Sequence, residues 1–268
     1  MSSICSEKNA QASLTLHSRI GIGLAGMVLM LLATVLMGCA SVPDPQDPRD
    51  PFEGFNRSMY KFNDAVDRAV LKPVAKGYAA ITPDAVDKGV TNVFSNLGDV
   101  WVVANDLMQL KIGQAVSDTW RFVINSTFGI YGIFDVATHL GLEKHKEDFG
   151  QTLGHWGVGP GPYLVLPILG PSTVRDTTGI IVETTQWNVY DEVTDDSTEE
   201  NAVIALETID RRADLLSASR VLNQVALDPY IFLRESYLQK RNAFVYDGKP
   251  PDEDPLDEDD GLFEDEEE

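Results

Sequence analysis

Residues 52–70, FEGFNRSMYKFNDAVDRAV, set the fold class. Phe55, Met59, Phe62, Val66 and Val70 recur at steps of three and four, which places them on one face of an α-helix. The same period returns along the chain. Val86, Val90, Val93, Phe94 and Leu97 follow Thr82-Pro83, a pair that reads as an N-cap with proline at the first helical position. Val100, Val103, Ala104, Leu107 and Met108 form another short stripe; Val116, Trp120, Val123 and Ile124 form a third that ends at Gly129. Thr198 opens a long helix with Ala202, Leu206, Ile209, Ala213 and Leu216 on one side. Asp228-Pro229 restarts the chain as a further helix carrying Tyr230, Leu233, Tyr237 and Phe244. Little of the chain reads as strand. Residues 150–171 differ in character, with six glycines and four prolines around Tyr163-Leu164-Val165-Leu166, a density that predicts an ordered apolar loop. The expected architecture is all-α: a bundle of short amphipathic helices, each about 10–15 residues long, with one Gly/Pro-rich loop.

The N-terminus points to an envelope location. Residues 20–36 carry no charge, Lys8 and Arg19 precede them, and Leu36-Met37-Gly38-Cys39 closes the run. A basic flank, a short apolar stretch and a small residue before the cut describe a secretory signal peptide, and a cysteine at the cut resembles a bacterial lipoprotein signal. Cys39 is then the acylated N-terminal residue. Met37 departs mildly from the small residue usual two places before that cysteine. Gly21-Ile22-Gly23-Leu24-Ala25-Gly26 matches a dinucleotide fingerprint letter for letter, but it lies inside the apolar signal rather than between a strand and a helix. The organisation expected is a signal peptide at 1–38, a Pro-rich tether at 39–51, a helical domain at 52–246 and an acidic tail at 247–268.

Charge excludes one class of partner. The chain holds 21 Lys and Arg against 42 Asp and Glu, so it lacks the clustered cations that nucleic acid requires. The tail alone holds 13 acidic residues and one lysine. The two cysteines, Cys5 and Cys39, leave no disulfide after processing and no Cys-based zinc site.

Catalytic motifs are absent: no G-x-S-x-G, no H-E-x-x-H and no Walker loop occurs. His145 with Glu147 and Asp148 suggests metal ligands, but two flanking lysines favour a charged, solvent-facing turn over 143–148. His155 could serve Ser126 or Ser172 as a base, yet no fixed spacing unites them; a structural or headgroup role fits better. No cofactor and no metal is expected.

Asp50-Pro51-Phe52-Glu53-Gly54-Phe55-Asn56-Arg57 resembles the opening of the MlaA (VacJ) family of outer-membrane lipoproteins. The likeness continues through Arg121-Phe122-Val123-Ile124-Asn125-Ser126, Gly129 to Ala137, Glu147 to Gly154, Gly157 to Tyr163, Gly170-Pro171-Ser172 to Asp176, and Asp228-Pro229-Tyr230 with Arg234 and Tyr237. It covers about residues 50–245 in order; the acidic tail lies outside it. Ser126 stands where the family usually has Thr, and Val100 where it tends to Pro.

The resemblance implies an all-helical, ring-like protein lying in the inner leaflet of the outer membrane, lipid-anchored on the periplasmic side, with a central amphipathic channel. It implies removal of mislocalised phospholipids from the outer leaflet, transfer to a soluble periplasmic lipid carrier, and work beside a trimeric porin. Short amphipathic helices suit an interface rather than a ~30 Å span, and a triacylated cysteine exceeds the one-chain limit of marginal membrane binding. Candidates for the lipid channel or membrane contact are Phe55, Met59, Phe62, Arg121, Asn125, Gly129, Gly132, His155, Trp156 and Tyr163, with Cys39 as the lipidation site. Two rival classes are an envelope lipoprotein with lipid-hydrolase activity and a structural tether; the first lacks an elbow, the second a coiled coil. The anchor is directly testable. Cys39→Ser abolishes incorporation of labelled palmitate and leaves the precursor uncut, whereas a mutant that still takes the label removes the lipoprotein reading.

Overall fold

The computed structural model describes residues 47–186, 190, 194 and 196–251, the side chains of 223–225 excepted. The signal peptide, Cys39, most of the tether and the tail from 252 onward lie outside the described residues.

The chain enters α1 (Glu53–Val66), passes through a π-helical turn at Asp67–Leu71 and continues as α2 (Lys72–Ile81). The π turn lies directly ahead of Pro73, whose missing N–H and ring do not fit an ordinary i→i−4 ladder. Thr82, restricted by the proline after it, is extended and ends α2. Pro83 itself takes the N-cap of α3 (Asp84–Met108), so the helix starts one residue later than Thr82-Pro83 suggests. Asp84 and Asp87 complement the dipole of its first turn. The two stripes expected as separate short helices share this one 25-residue helix, about 37 Å long.

After a tight turn at Leu110 comes α4 (Ile112–Thr127), then the short α5 (Val136–His139) capped by Asp135 and α6 (Phe149–His155) capped by Asp148. The segment 150–171 is therefore not a loop throughout. It opens as α6 and ends in an antiparallel hairpin, β1 (Tyr163–Leu166) with β2 (Gly170–Thr173), in which Tyr163 faces Thr173. The hairpin forms because Tyr163 and Val165 alternate inward onto an apolar cluster with Tyr230. The remainder is helical: α7 (Val174–Gln186), α8 (Ser197–Asp214), α9 (Leu216–Val225) and α10 (Pro229–Val245). Asp196, not Thr198, caps α8, and the expected long helix breaks at Leu215, so Leu216 belongs to α9. Asp228 caps α10 through the amides of Tyr230 and Ile231, with Pro229 in the first turn as expected.

Helix dominates, as the periodicity implies, but its amphipathic sense is inverted. Among the described residues, eight hydrophobic side chains are buried against 19 polar or charged ones. Val116, Trp120 and Val123 point outward from α4, while Ala115, Asp118, Arg121 and Asn125 point inward. On α3, Asn96, Asp99, Asn105 and Asp106 are buried and Val86 and Leu107 are exposed. No helix among the described residues is long and apolar enough to cross a membrane.

Polar side chains therefore hold the elements together. Fully buried Asn56 donates to Asp50 Oδ1 (2.7 Å) and to the Tyr163 carbonyl (2.9 Å), and accepts from the Val165 amide (2.8 Å). Asp50 also accepts from the Tyr230 hydroxyl and from Arg234 (3.1 Å). One node thus joins the N-terminal segment, α1, β1 and α10.

Backbone constraint is as local. Gly132 has φ +88°, and a Cβ there would lie 2.7 Å from Asn96 Cβ on α3. Gly157 has φ +89° with open space around it. Gly132→Ala is expected to destabilise the fold by about 2–4 kcal/mol, and Gly157→Ala by about 1 kcal/mol, because only the first adds a steric clash to the strained dihedral. Thermal unfolding in detergent compares them; equal losses would show that Asn96 yields freely.

Candidate functional site

Many large apolar side chains are exposed on the outer surface. Phe55 and Phe62 project from α1, whereas Met59, one turn from each, packs inward against the Tyr163–Val165–Tyr230 cluster. The stripe that reads as one face is therefore divided between coat and core. Phe128, Ile130, Tyr131 and Phe134 project from the connection after α4, with Tyr131 83% exposed. Ile168 and Leu169 project from the hairpin tip.

The connection at 128–134 is a compact knot. The Gly132 amide donates to the Asn125 carbonyl (2.9 Å) and the Phe134 amide to the Gly129 carbonyl (2.9 Å). A Cβ on Gly129 would lie 2.2 Å from the Phe134 carbonyl oxygen, so only glycine fits. Ile130 and Tyr131 both adopt left-handed backbone (φ +53° and +55°), costly for a β-branched residue. The knot thus holds exposed aromatic side chains on a strained backbone fastened to α3 and α4.

Beneath it lies Arg121, 2% exposed. Its guanidinium donates to the Thr138 hydroxyl (3.0 Å), the Leu142 carbonyl and both oxygens of Asp135 (3.2 and 3.3 Å). Asn125 donates to Asp135 Oδ1 (3.0 Å) and accepts from the Ala137 amide (2.9 Å). Burial opposes ionisation of Asp135, yet donors from Thr138 and Asn125 and the charge of Arg121 bring its carboxyl down to about 2. Arg121 and Asn125 thus anchor the start of α5.

Between the N-terminal half of α3, Ile133 and α8 runs an apolar groove of about 430 Å³. Val86, Val90, Val93 and Phe94 form one wall, Leu206 the other, and Gly89 leaves room at its floor beside Ile133. Its lining is almost wholly hydrocarbon. Such a groove can hold an acyl chain and offers nothing to a headgroup.

The other residues singled out from the sequence are scattered. His155 is exposed at the end of α6; Trp156 beside it is half-exposed, with its indole N–H on the Met108 carbonyl (3.1 Å). Tyr163 is fully buried in the apolar cluster. Ser126 accepts from Asn96 and Ser172 pairs with Thr177, so neither hydroxyl is hydrogen-bonded to His155.

The stretch 143–148 is not a solvent-facing turn. Lys144 reaches Asp99, His145 Nδ1 lies 2.7 Å from Asp118 Oδ2, and Glu147 accepts from Lys111 (2.9 Å) and Gln109 (2.8 Å). Asp148 caps α6 and pairs with Arg241. Every ion-pair partner is distant in sequence, which is why the local pattern looks solvated. Among the described residues no cluster of His, Cys, Asp or Glu suits a metal ion. Asp50, Asn56, Asp99, Asp106 and Arg241 belong to no apolar stripe, so hydrophobic periodicity passes over them. A polar period does mark the buried side of α4: Asp118, Arg121 and Asn125 keep the same three- and four-residue spacing.

Comparison with known proteins agrees with this architecture. The profile of the MlaA lipoprotein family matches residues 48–244. The Escherichia coli (strain K12) intermembrane phospholipid transport system lipoprotein MlaA is 35% identical over 237 residues, covering 85% of this chain and 91% of the relative. An uncharacterised protein of Rickettsia bellii is 38% identical over 208 residues, covering 78% of this chain and 81% of that protein. A chain solved in work on the structural basis for maintenance of bacterial outer membrane lipid asymmetry superposes with a TM-score of 0.65 at 33% identity, over 73% of this chain and 98% of that one. With the family profile spanning nearly all of the helical region, this chain belongs to the MlaA lipoprotein family.

Proposed function

We propose that this protein withdraws mislocalised phospholipids from the outer leaflet of the outer membrane and passes them on for return to the inner membrane, maintaining lipid asymmetry. The observation that carries this reading is the inverted amphipathicity: among the described residues, many large apolar side chains are exposed and 19 polar or charged residues are buried. A coat of this kind is unfavourable in water and favourable against acyl chains, at roughly 25 cal/mol per Å² of apolar surface removed from water. Among the described residues no helix is long and apolar enough to span, and helices of that kind with such a coat suit a protein seated within one leaflet. Residues 39–246 carry a net charge of −10, so insertion rests on apolar area and on the acylated Cys39 rather than on attraction to anionic lipids.

Transfer of an intact two-tailed lipid needs a polar route for the headgroup and an apolar one for the tails. The apolar groove along α3 serves the tails. The knot at 128–134 and the hairpin tip contact the surrounding lipid. A trimeric outer-membrane porin beside the ring and a soluble periplasmic carrier below it complete the route. Transfer is non-covalent and involves no chemical step.

Reconstitution in asymmetric liposomes with the porin, labelled phospholipid and a soluble acceptor tests this. Intact lipid should accumulate in the acceptor. Gly89→Phe, which fills the groove floor, should slow transfer at least ~10-fold, while His155→Ala should change it less than the ~10²–10⁴-fold expected for loss of a general base. Lysophospholipid or free fatty acid that disappears in His155→Ala would instead establish hydrolysis.

A further inference from the structure

Residues 57–81 run against the charge of the chain. They hold Arg57, Lys61, Arg68, Lys72 and Lys76 against Asp64 and Asp67, whereas residues 39–246 as a whole carry −10. Lys61, Arg68, Lys72 and Lys76 follow one another at steps of seven, four and four, the spacing of a single helix face. Phe55, Phe62, Val70, Val74 and Ile81 form a second line along the same helices, and all five are exposed.

The packed side is different again. Asn56 and Ala75 are buried, and Tyr60 meets Tyr230 edge-on. Asn63 donates to the Leu166 carbonyl (2.8 Å) and accepts from the Ile168 amide (2.7 Å), while the Tyr78 hydroxyl donates to Asp210 (3.0 Å). At ~100° per residue, the apolar line then occupies one flank of the outward face and the cations the other. Exposed Ala65, Ala69 and Ala80 lie between them. The π turn keeps the lines straight. Each four-residue step along an α-helix carries a line forward by about 40°, which would walk Val70, Val74 and Ile81 toward the packed side. The i→i+5 turn at Asp67–Leu71 advances less per residue and takes that drift back.

The two acids of the segment leave most of the cations unneutralised. Asp64 pairs with Arg68 (2.7 Å), and Asp67 is held by Arg212 of α8 (2.6 and 2.9 Å). Arg57 is turned to Glu53 and Asp228. Lys61, Lys72 and Lys76 enter no ion pair among the described residues, and Lys61 and Lys76 are exposed.

We propose that the basic flank of α1 and α2 binds anionic glycerophospholipid headgroups of the leaflet in which the protein is seated, with the apolar flank against their acyl chains. This rests on the reading that the exposed apolar side chains face lipid. A helix lying in an interface has this division, apolar side toward the acyl boundary and lysines at the headgroups, with the lysine stems covering the step between. The charge of −10 means that the flank orients the protein rather than drives its insertion. Attraction between lysine and an anionic surface fades within about a Debye length, ~10 Å at 0.1 M salt, so acids elsewhere on the molecule do not cancel it.

The test uses the full-length protein in nanodiscs of phosphatidylcholine and phosphatidylglycerol in equal parts, one or the other brominated. Once Cys39 is acylated, a cysteine introduced as Ala65→Cys, between the two flanks, takes a bimane label alone. A second protein is labelled through Val116→Cys on the outward face of α4. At position 65 brominated phosphatidylglycerol should quench at least ~3-fold more efficiently than brominated phosphatidylcholine. That excess should vanish when Lys61→Gln, Lys72→Gln and Lys76→Gln are combined, and at about 1 M salt. At position 116 the two lipids should quench alike. Equal quenching at 65, an excess that survives the triple substitution, or an equal excess at 116 overturns the proposal. Quenching at 116 with none at 65 also overturns it, leaving the flank to a protein partner and the lipid-facing coat intact. No quenching at either position removes both readings. Should the triple variant fail to fold, the salt dependence at 65 without those substitutions decides the question.

Discussion

Everything in this structure depends on the pairing of buried charge. A chain with so few buried apolar side chains cannot draw its cohesion from an ordinary hydrophobic interior. Its elements meet instead through carboxylates that each collect several donors. Asp50 takes Asn56, Tyr230 and Arg234; Asp135 takes Arg121, Asn125 and Thr138. Arg241 lies between Asp148 and Asp176, joining α10 to the start of α6 and to α7. Burial works against ionisation of Asp148 and Asp176, and Arg241 more than offsets it, so both carboxyls titrate below their ordinary range. Removing one member of such a group leaves its partners charged and buried, which typically costs about 3–5 kcal/mol.

That constraint explains which glycines and strained residues occur where. Ionic groups need fixed distances, so the backbone between them must follow the network rather than its own preferences. Gly129 and Gly132 let the chain fold back over Asn125 and Asn96, and Ile130 and Tyr131 accept left-handed backbone as a result. Their side chains are thrown outward, where a lipid environment suits them. Inside order and outside hydrophobicity are two consequences of one arrangement.

The sequence reveals the helices well and their orientation poorly. Periods of three and four identify α1, α3, α4, α8 and α10, because that spacing reports only that one face differs from the other. Which face is buried depends on the solvent. Val116, Trp120 and Val123 mark a face of α4 as surely as Asp118, Arg121 and Asn125 do, and only the packed structure shows that the polar set lies inside. The hairpin at 163–173 is illegible in the sequence because each strand is four residues long and is held by Asn56, more than a hundred positions earlier. The pairs around 143–148 are hidden for the same reason, since their counter-charges lie at 99, 111, 118 and 241. Family motifs, by contrast, carry the likeness over 50–245, nearly the span matched by the family profile.

A polar interior enclosed by an apolar coat also changes what the helices can do for a lipid. In a water-soluble carrier the acyl chains enter the hydrophobic core and the headgroup remains at the mouth. Here the apolar groove along α3 lies on the coat side and is open, while the hydrogen-bonding groups lie within. A phospholipid can keep its tails in an apolar medium while only its headgroup changes partners. The largest barrier to moving a lipid between leaflets is carrying the polar headgroup through hydrocarbon. A protein that leaves the tails in lipid has only that one step to ease. The inverted arrangement thus suits a protein that works on lipid, and the ionic nodes that hold it keep its polar and apolar sides apart.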